Sequence, residues 1–187
     1  MHRARSNLKF RTYLIHFFSA VIIFTSLANA YGITVEPCSY MGDTTLKDIN
    51  GKTFQLKEYA GKVLFITFWS TWCVRCKEEL TYLHEKFGGN GNVVIITVNQ
   101  DSDKKIHELR VKKFIDEIGA HQLIVVIDRS FEFWDRFGLN ALPATIILDA
   151  EGRVAFAEAN FHNDSPEIIE REYEKLHTEN SCSSADQ

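Results

Sequence analysis

Proline is scarce, with three in 187 residues, and glycine is modest at ten, so the chain is neither collagen-like nor a Pro/Gly-rich disordered segment. Cysteine is limited to four, too few for a disulfide-dense scaffold. No repeat, linker or low-complexity tract interrupts the chain before a polar tail that begins near Thr178. A phosphate-cradling glycine loop and a serine nucleophile elbow are also missing. What remains is 45% hydrophobic and 25% charged, the make-up of one globular domain with an ordinary core.

Acidic residues are absent from Met1 to Ala30, where Arg3, Arg5, Lys9 and Arg11 precede the apolar run Tyr13 to Leu27 and the ending Ala28-Asn29-Ala30. That order reads as a secretory signal peptide cleaved after Ala30, with the domain following at 31–187. An uncleaved membrane anchor is the alternative, but the run is shorter than the roughly 20 residues a spanning helix needs, and His16 interrupts it. Cleavage removes four of the 21 basic residues and none of the 25 acidic ones, leaving a formal charge of −8. An acidic surface argues against nucleic acid and anionic lipid as partners. Cys38 follows Val35-Glu36-Pro37, without the small residues that a lipid-attachment cysteine requires. Export to a periplasmic or other extracytoplasmic space exposes any cysteine pair to oxidation, so a dithiol kept reduced there needs an electron source.

Four apolar runs rich in β-branched and aromatic residues read as strands buried on both faces: Val63 to Trp69, Val93 to Val98, Leu123 to Ile127 and Thr145 to Leu148. Between them, Asp103 to Ile118 reads as a helix, with Ile106, Leu109, Phe114 and Ile118 on its buried stripe, Asp101 or Ser102 as cap and Gly119 as stop. Alternating strands and helices predict an α/β layered domain. The turn signal Asp149-Ala150-Glu151-Gly152 folds Arg153 to Ala157 back as an antiparallel strand. A last helix spans Pro166 to His177 behind a Ser165 cap. Ahead of the core, Thr44 to Leu56 contains Asn50-Gly51, a strong hairpin signal.

The chemistry concentrates in Trp69-Ser-Thr-Trp-Cys-Val-Arg-Cys-Lys-Glu-Glu79. Cys73 sits just after a strand, and Cys76, Leu80, Leu83 and Phe87 then share one helical face at about 100° per residue. Cys73 therefore sits at a helix N-terminus, where unpaired N–H groups and the helix dipole favour a thiolate. It is the candidate nucleophile, and Cys76 the candidate resolving thiol. Half of a zinc site has the same spacing, but Cys38 and Cys182 are isolated in sequence and His84 lies on another part of the helix. An inert bridge fits poorly with a helix start flanked by Trp69 and Trp72.

The segment Phe-Trp-Ser-Thr-Trp-Cys-Val-Arg-Cys, followed by Leu-Asn-Ala-Leu-Pro-Ala-Thr-Ile-Ile-Leu-Asp-Ala-Glu-Gly-Arg-Val, resembles the exported thiol-disulfide oxidoreductases of the TlpA/ResA type, over roughly Thr44 to Lys175. The resemblance implies a thioredoxin fold, a central mixed sheet flanked by helices, with the N-terminal hairpin as an extension. It also implies a cis peptide between Leu142 and Pro143, with the Leu142 backbone and Trp72 meeting the substrate. On the residues alone, Pro143 would open its strand in trans, because X-Pro bonds are cis only about 5% of the time. The family further implies catalysis by the Cys73-Cys76 disulfide without another cofactor or metal, a monomer, a protein cysteine pair as substrate and a membrane electron donor. Its members mostly act as reductants, some of apocytochrome c before haem attachment. Reductase is the first reading; a disulfide oxidase or isomerase, and a metal-binding or metallochaperone module, are the alternatives.

Three positions depart from the family pattern: Arg75 stands where proline usually precedes the second cysteine, Thr67 where thioredoxins proper carry a buried aspartate, and Thr81 where relatives often have proline. With Thr67 unable to titrate, the nearest proton acceptor is Glu79, which lies at about 240° from Cys73 on the helical wheel, beside the buried face. Glu78, at about 140°, points to solvent. A carboxylate merely well placed in a first helical turn is the plainer reading of Glu79. Arg75 is a candidate for redox tuning, either directly at Cys73 or as the i, i+4 ion-pair partner of Glu79. Cys38 and Cys182 either pair across the whole domain or remain as thiols in its flexible ends.

Overall fold

The computed structural model describes residues 33–101, 107–178 and Cys182. The expected signal segment 1–30 and the start of the helix expected over Asp103 to Ile118, at 102–106, lie outside the described residues.

Strand β3 (Val63–Trp69) is the spine of the fold, and all seven of its residues are buried. Its side chains divide by parity, as the period of two demands. Leu64, Ile66 and Phe68 enter one core with Phe54 and Leu56, while Val63, Phe65 and Trp69 enter a second core with Leu80, Leu83 and Phe87. Thr67 falls on the second face and is its polar exception on this strand. The strand is sandwiched on both sides, which is why it reads as an unbroken apolar run.

Helix α1 (Val74–Phe87) leads from β3 to the parallel strand β4 (Val93–Asn99), and helix α2 (His107–Glu117) leads on to the parallel strand β5 (Ile124–Ile127). After a short helix α3 (Glu132–Arg136), strand β6 (Ala144–Leu148) returns antiparallel to β3, and β7 (Val154–Ala159) pairs antiparallel with β6. The sheet order is β5-β4-β3-β6-β7, and helix α4 (Ser165–Thr178) follows the last strand. This is the mixed sheet flanked by helices that the resemblance implies. The expected hairpin is also present, as β1 (Thr45–Lys47) and β2 (Thr53–Gln55). Gly51 takes a φ of 90° in its turn, a conformation favouring glycine. The Asp48 side chain closes that turn by accepting from Asn50 N and Lys52 N.

One residue of the expected pattern is corrected. Leu109 is 76% exposed, and the buried face of α2 is built from Val111, Phe114 and Ile115. Leu109 precedes Val111 by two residues, or about 200° around the helix, so both cannot face the sheet.

Candidate active site

The site forms where β3 runs out. The chain passes through Ser70, Thr71 and Trp72 into Cys73, which caps α1 with an extended backbone, φ −89° and ψ 109°. Cys73 Sγ accepts a hydrogen bond from Cys76 N at 3.1 Å, satisfying one of the orphan donors of the helix start. The first turn of α1 contains no acidic residue, so nothing there opposes the partial positive charge that the helix end presents to sulfur. Cys73 and Cys76 are joined as a disulfide, with their Cα atoms 5.2 Å apart. Cys73 retains 9% exposure and Cys76 none, while Trp72 beside them is 74% exposed.

The strand register brings the second half of the site to the same end of the sheet. Phe68 pairs with Ala144, so Pro143 lies just beyond the paired region, alongside the loop that leaves β3. The Leu142-Pro143 peptide is cis. The Pro143 carbonyl accepts from Asn160 N at 2.8 Å, tying this turn to the end of β7. Leu142 is partly buried and packs against both cores.

Glu79 lies one turn beyond Cys76 and is almost completely buried, at 3% exposure. Thr67 Oγ1 donates to Glu79 Oε2 at 2.6 Å, and Thr145 Oγ1 donates to Oε1 at 2.9 Å. Thr67 and Thr145 are direct cross-strand partners, so the pair presents two hydroxyls side by side toward α1. Burial pushes the Glu79 carboxyl up to about 7; the two hydroxyls pull it back, and the nearby Glu158 raises it further. Thr67 does not titrate, yet it is not idle: it holds the carboxylate.

The deciding comparison is with known sequences. The Redoxin family profile matches residues 37–175. The chain belongs to the Redoxin family. It is 31% identical over 156 residues to the thiol-disulfide oxidoreductase ResA of Geobacillus thermodenitrificans, covering 81% of this chain and 87% of that one. Among solved structures it superposes on the exposed lipoprotein thioredoxin Etrx1 of Streptococcus pneumoniae with a TM-score of 0.58 and 26% identity, over 71% of this chain and 98% of that one. It also superposes on a secreted Mycobacterium tuberculosis disulfide oxidoreductase homologous to E. coli DsbE, with a TM-score of 0.60 and 18% identity, over 73% and 96% of the two chains. The chain is thus a redox enzyme of the thiol-disulfide oxidoreductase type with a thioredoxin-like fold.

In this oxidoreductase the expected link between Arg75 and Glu79 is not made. Arg75 Nη1 pairs with Glu78 Oε2 at 2.8 Å on the exposed side of α1. The reason is solvation, since reaching Glu79 would drag a guanidinium into the core against the two threonine hydroxyls. Thr145 is a partner that the sequence did not single out, and Asp101 was expected only as a possible helix cap. Asp101, 5% exposed, accepts from Thr71 N at 3.1 Å and from Thr71 Oγ1 at 2.7 Å, bracing the loop that carries Trp72 and Cys73. Two signals pointed this way: Thr67 is the polar residue of a buried strand and so demands a partner, and Asp101 follows the C-terminal end of a parallel strand, where such sites collect.

Cys38 and Cys182 are joined, with Cα atoms 5.4 Å apart. Cys38 N donates to Val154 O at 2.8 Å, which places this bridge by the start of β7, at the opposite end of that strand from Pro143. Among the described residues, no group of three or more His, Cys, Asp or Glu side chains is placed to hold a metal ion.

Proposed function

We propose that this chain is an exported protein-disulfide reductase whose electrons pass through Cys73 and Cys76. The observation that carries the reading is the asymmetry of the pair: Cys73 caps the helix N-terminus and keeps 9% of its surface accessible, while Cys76, three residues before the carboxyl of Glu79, keeps none. The Cys73 thiolate attacks a disulfide of the substrate protein, forming a mixed disulfide and releasing one substrate thiolate. Cys76 then gives its proton to Glu79 and attacks Cys73 Sγ. The Cys73-Cys76 disulfide forms, and the second substrate sulfur leaves as a thiolate that takes up a proton. Two electrons have moved to the substrate, and a dithiol donor at the membrane restores the enzyme. No further cofactor enters this cycle.

Trp72 offers an exposed aromatic face to the substrate, and Leu142, ahead of the cis proline, offers its backbone. Export is supported by the basic, apolar and small-residue order of Met1 to Ala30. A second disulfide remote from the site also supports it, because such bridges persist in oxidising compartments.

The test is a Cys76→Ser variant, which stalls at the mixed disulfide and retains its substrate protein on Cys73. Recovery of cysteine-pair proteins with this variant, but not with a Cys73→Ser control, is the expected result. Equal recovery with both would overturn the assignment of the nucleophile. The reduction potential decides direction: a value near the roughly −270 mV of thioredoxin supports a reductase, and one near the roughly −120 mV of DsbA overturns it.

A further inference from the structure

The row of residues beneath Glu79 does not stop at Thr145. Thr67 on β3 pairs with Thr145 on β6, and Thr145 pairs in turn with Glu158 on β7. Direct cross-strand partners project from the same face of a sheet, their Cβ atoms about 4.5–5.5 Å apart. A second carboxylate therefore stands next in line after the hydroxyl that binds Glu79 Oε1. Glu158 is half-buried on the edge strand, and its Oε1 accepts from Ser165 Oγ at 2.8 Å. Ser165 Oγ is itself fixed by accepting from His162 N at 2.8 Å. The row thus runs from a carboxyl sealed in the core to one that meets solvent.

We infer that Glu158 is a positioning residue of this site: its charge, acting across Thr145, strengthens the hold of Glu79 on a proton. The inference deepens the proposed role of Glu79 as the proton partner of Cys76 and rests on that reading for its catalytic meaning. A charged Glu158 opposes a second negative charge at Glu79 and so makes Glu79 the stronger base toward the Cys76 thiol. No electrons are exchanged in this step; one proton leaves Cys76 Sγ and arrives on a Glu79 oxygen. The other groups that act on Glu158 lie in the loop before α4, where His162 favours its charged form and Asp164 opposes it. Burial raises the Glu158 carboxyl, and the Ser165 hydroxyl lowers it. The groups acting on Glu79 are Thr67 from β3, Thr145 from β6 and Glu158 from β7.

The experiment follows Glu79 directly, by NMR of protein carrying carboxyl-labelled glutamate, with Glu79→Gln assigning the resonance. In the Glu158→Gln variant, which keeps the size of the side chain, the Glu79 midpoint moves to lower pH. In Glu158→Asp, which keeps the charge, the midpoint lies between that of Glu158→Gln and the native value. An unmoved Glu79 midpoint in Glu158→Gln, or an equal movement in both variants, would overturn the inference, because only packing would then connect the residues. The pH profile of Cys76 alkylation in the reduced protein separates this from the underlying reading. If the Glu79 resonance moves but the thiol profile does not, Glu158 acts on Glu79 and the role of Glu79 at Cys76 falls. If both move together, both stand.

Discussion

Thr67 Oγ1 lies 2.6 Å from Glu79 Oε2, a hydroxyl on the central strand donating to a carboxylate on the helix that follows it. The contact joins the element before the cysteines to the element after them, and both ends of it are buried. It keeps a titratable group at the inner cysteine without placing that group on the strand itself. Hydrogen bonds to the charged form lower a carboxyl, and burial raises it; here burial wins.

Replacing Thr67 by Val keeps the shape and removes the donor. The Glu79 titration should move to higher pH, because one of the two groups stabilising its charged form is gone. Above neutrality the variant should lose about 1–3 kcal/mol of stability, the usual cost of a buried polar group left short of a partner. Denaturant titrations at pH 5 and pH 8 check both parts: a loss larger at pH 8 is expected.

Glu79 makes stability depend on pH in a definite sense. Its carboxyl titrates near 7 in the folded protein against an ordinary value of 4.5. The native state therefore binds more protons than the unfolded state between these limits, and stability falls as pH rises from 4.5 to about 7. The contribution is on the order of 3 kcal/mol, fully present below the unfolded value and lost above the folded one. Glu79→Gln should flatten that slope, measured as unfolding free energy against pH with the disulfides intact.

Asp101→Ala should loosen the loop at Thr71. With Thr71 N and Oγ1 both deprived of their acceptor, a loss of about 1–3 kcal/mol is expected. Since the loop delivers Trp72 and Cys73, kcat/KM toward a protein disulfide should fall by more than the loss of folded protein explains. Stopped-flow disulfide exchange at full folding, checked by circular dichroism, makes the comparison.

Cys182→Ser should destabilise the oxidised protein and leave the site untouched. The bridge spans 144 residues of sequence. A loop of that length sets an upper bound of about 5 kcal/mol on the loss, with about 2–4 kcal/mol typical. The Cys73-Cys76 reduction potential should not change, because the bridge sits at the other end of β7. Redox titration followed through Trp fluorescence tests this.

Arg75→Ala should have little effect, by contrast with its prominent position between the cysteines. An exposed i, i+3 ion pair with Glu78 is worth about 0.2–0.5 kcal/mol. The Glu79 titration should be the same in the variant as in the native protein, read by the same pH-dependent unfolding.

Much of this site was legible in the chain itself. The apolar runs from Val63 and Val93, the helical stripe of Cys76, Leu80, Leu83 and Phe87, and the placement of Cys73 at a helix start all follow from local periodicity and helix-end chemistry. These depend on neighbours in sequence, and burial then confirms their faces. The helical wheel put Glu79 beside the buried face and not within it, because an angle on a helix says nothing about what stands opposite. What stood opposite was set by strand register: Thr67, Thr145 and Glu158 come from positions far apart in the chain and meet because β3, β6 and β7 pair as they do. The same holds for Arg75, whose partner was chosen by solvation at the surface, and for Asp101, whose role required β4 to end beside Thr71. The sequence by itself determined the fold class and the cysteine pair at a helix start, and the tertiary structure decided which side chains surround Glu79 beside that pair, because proton affinity depends on burial and on partners brought together only by folding.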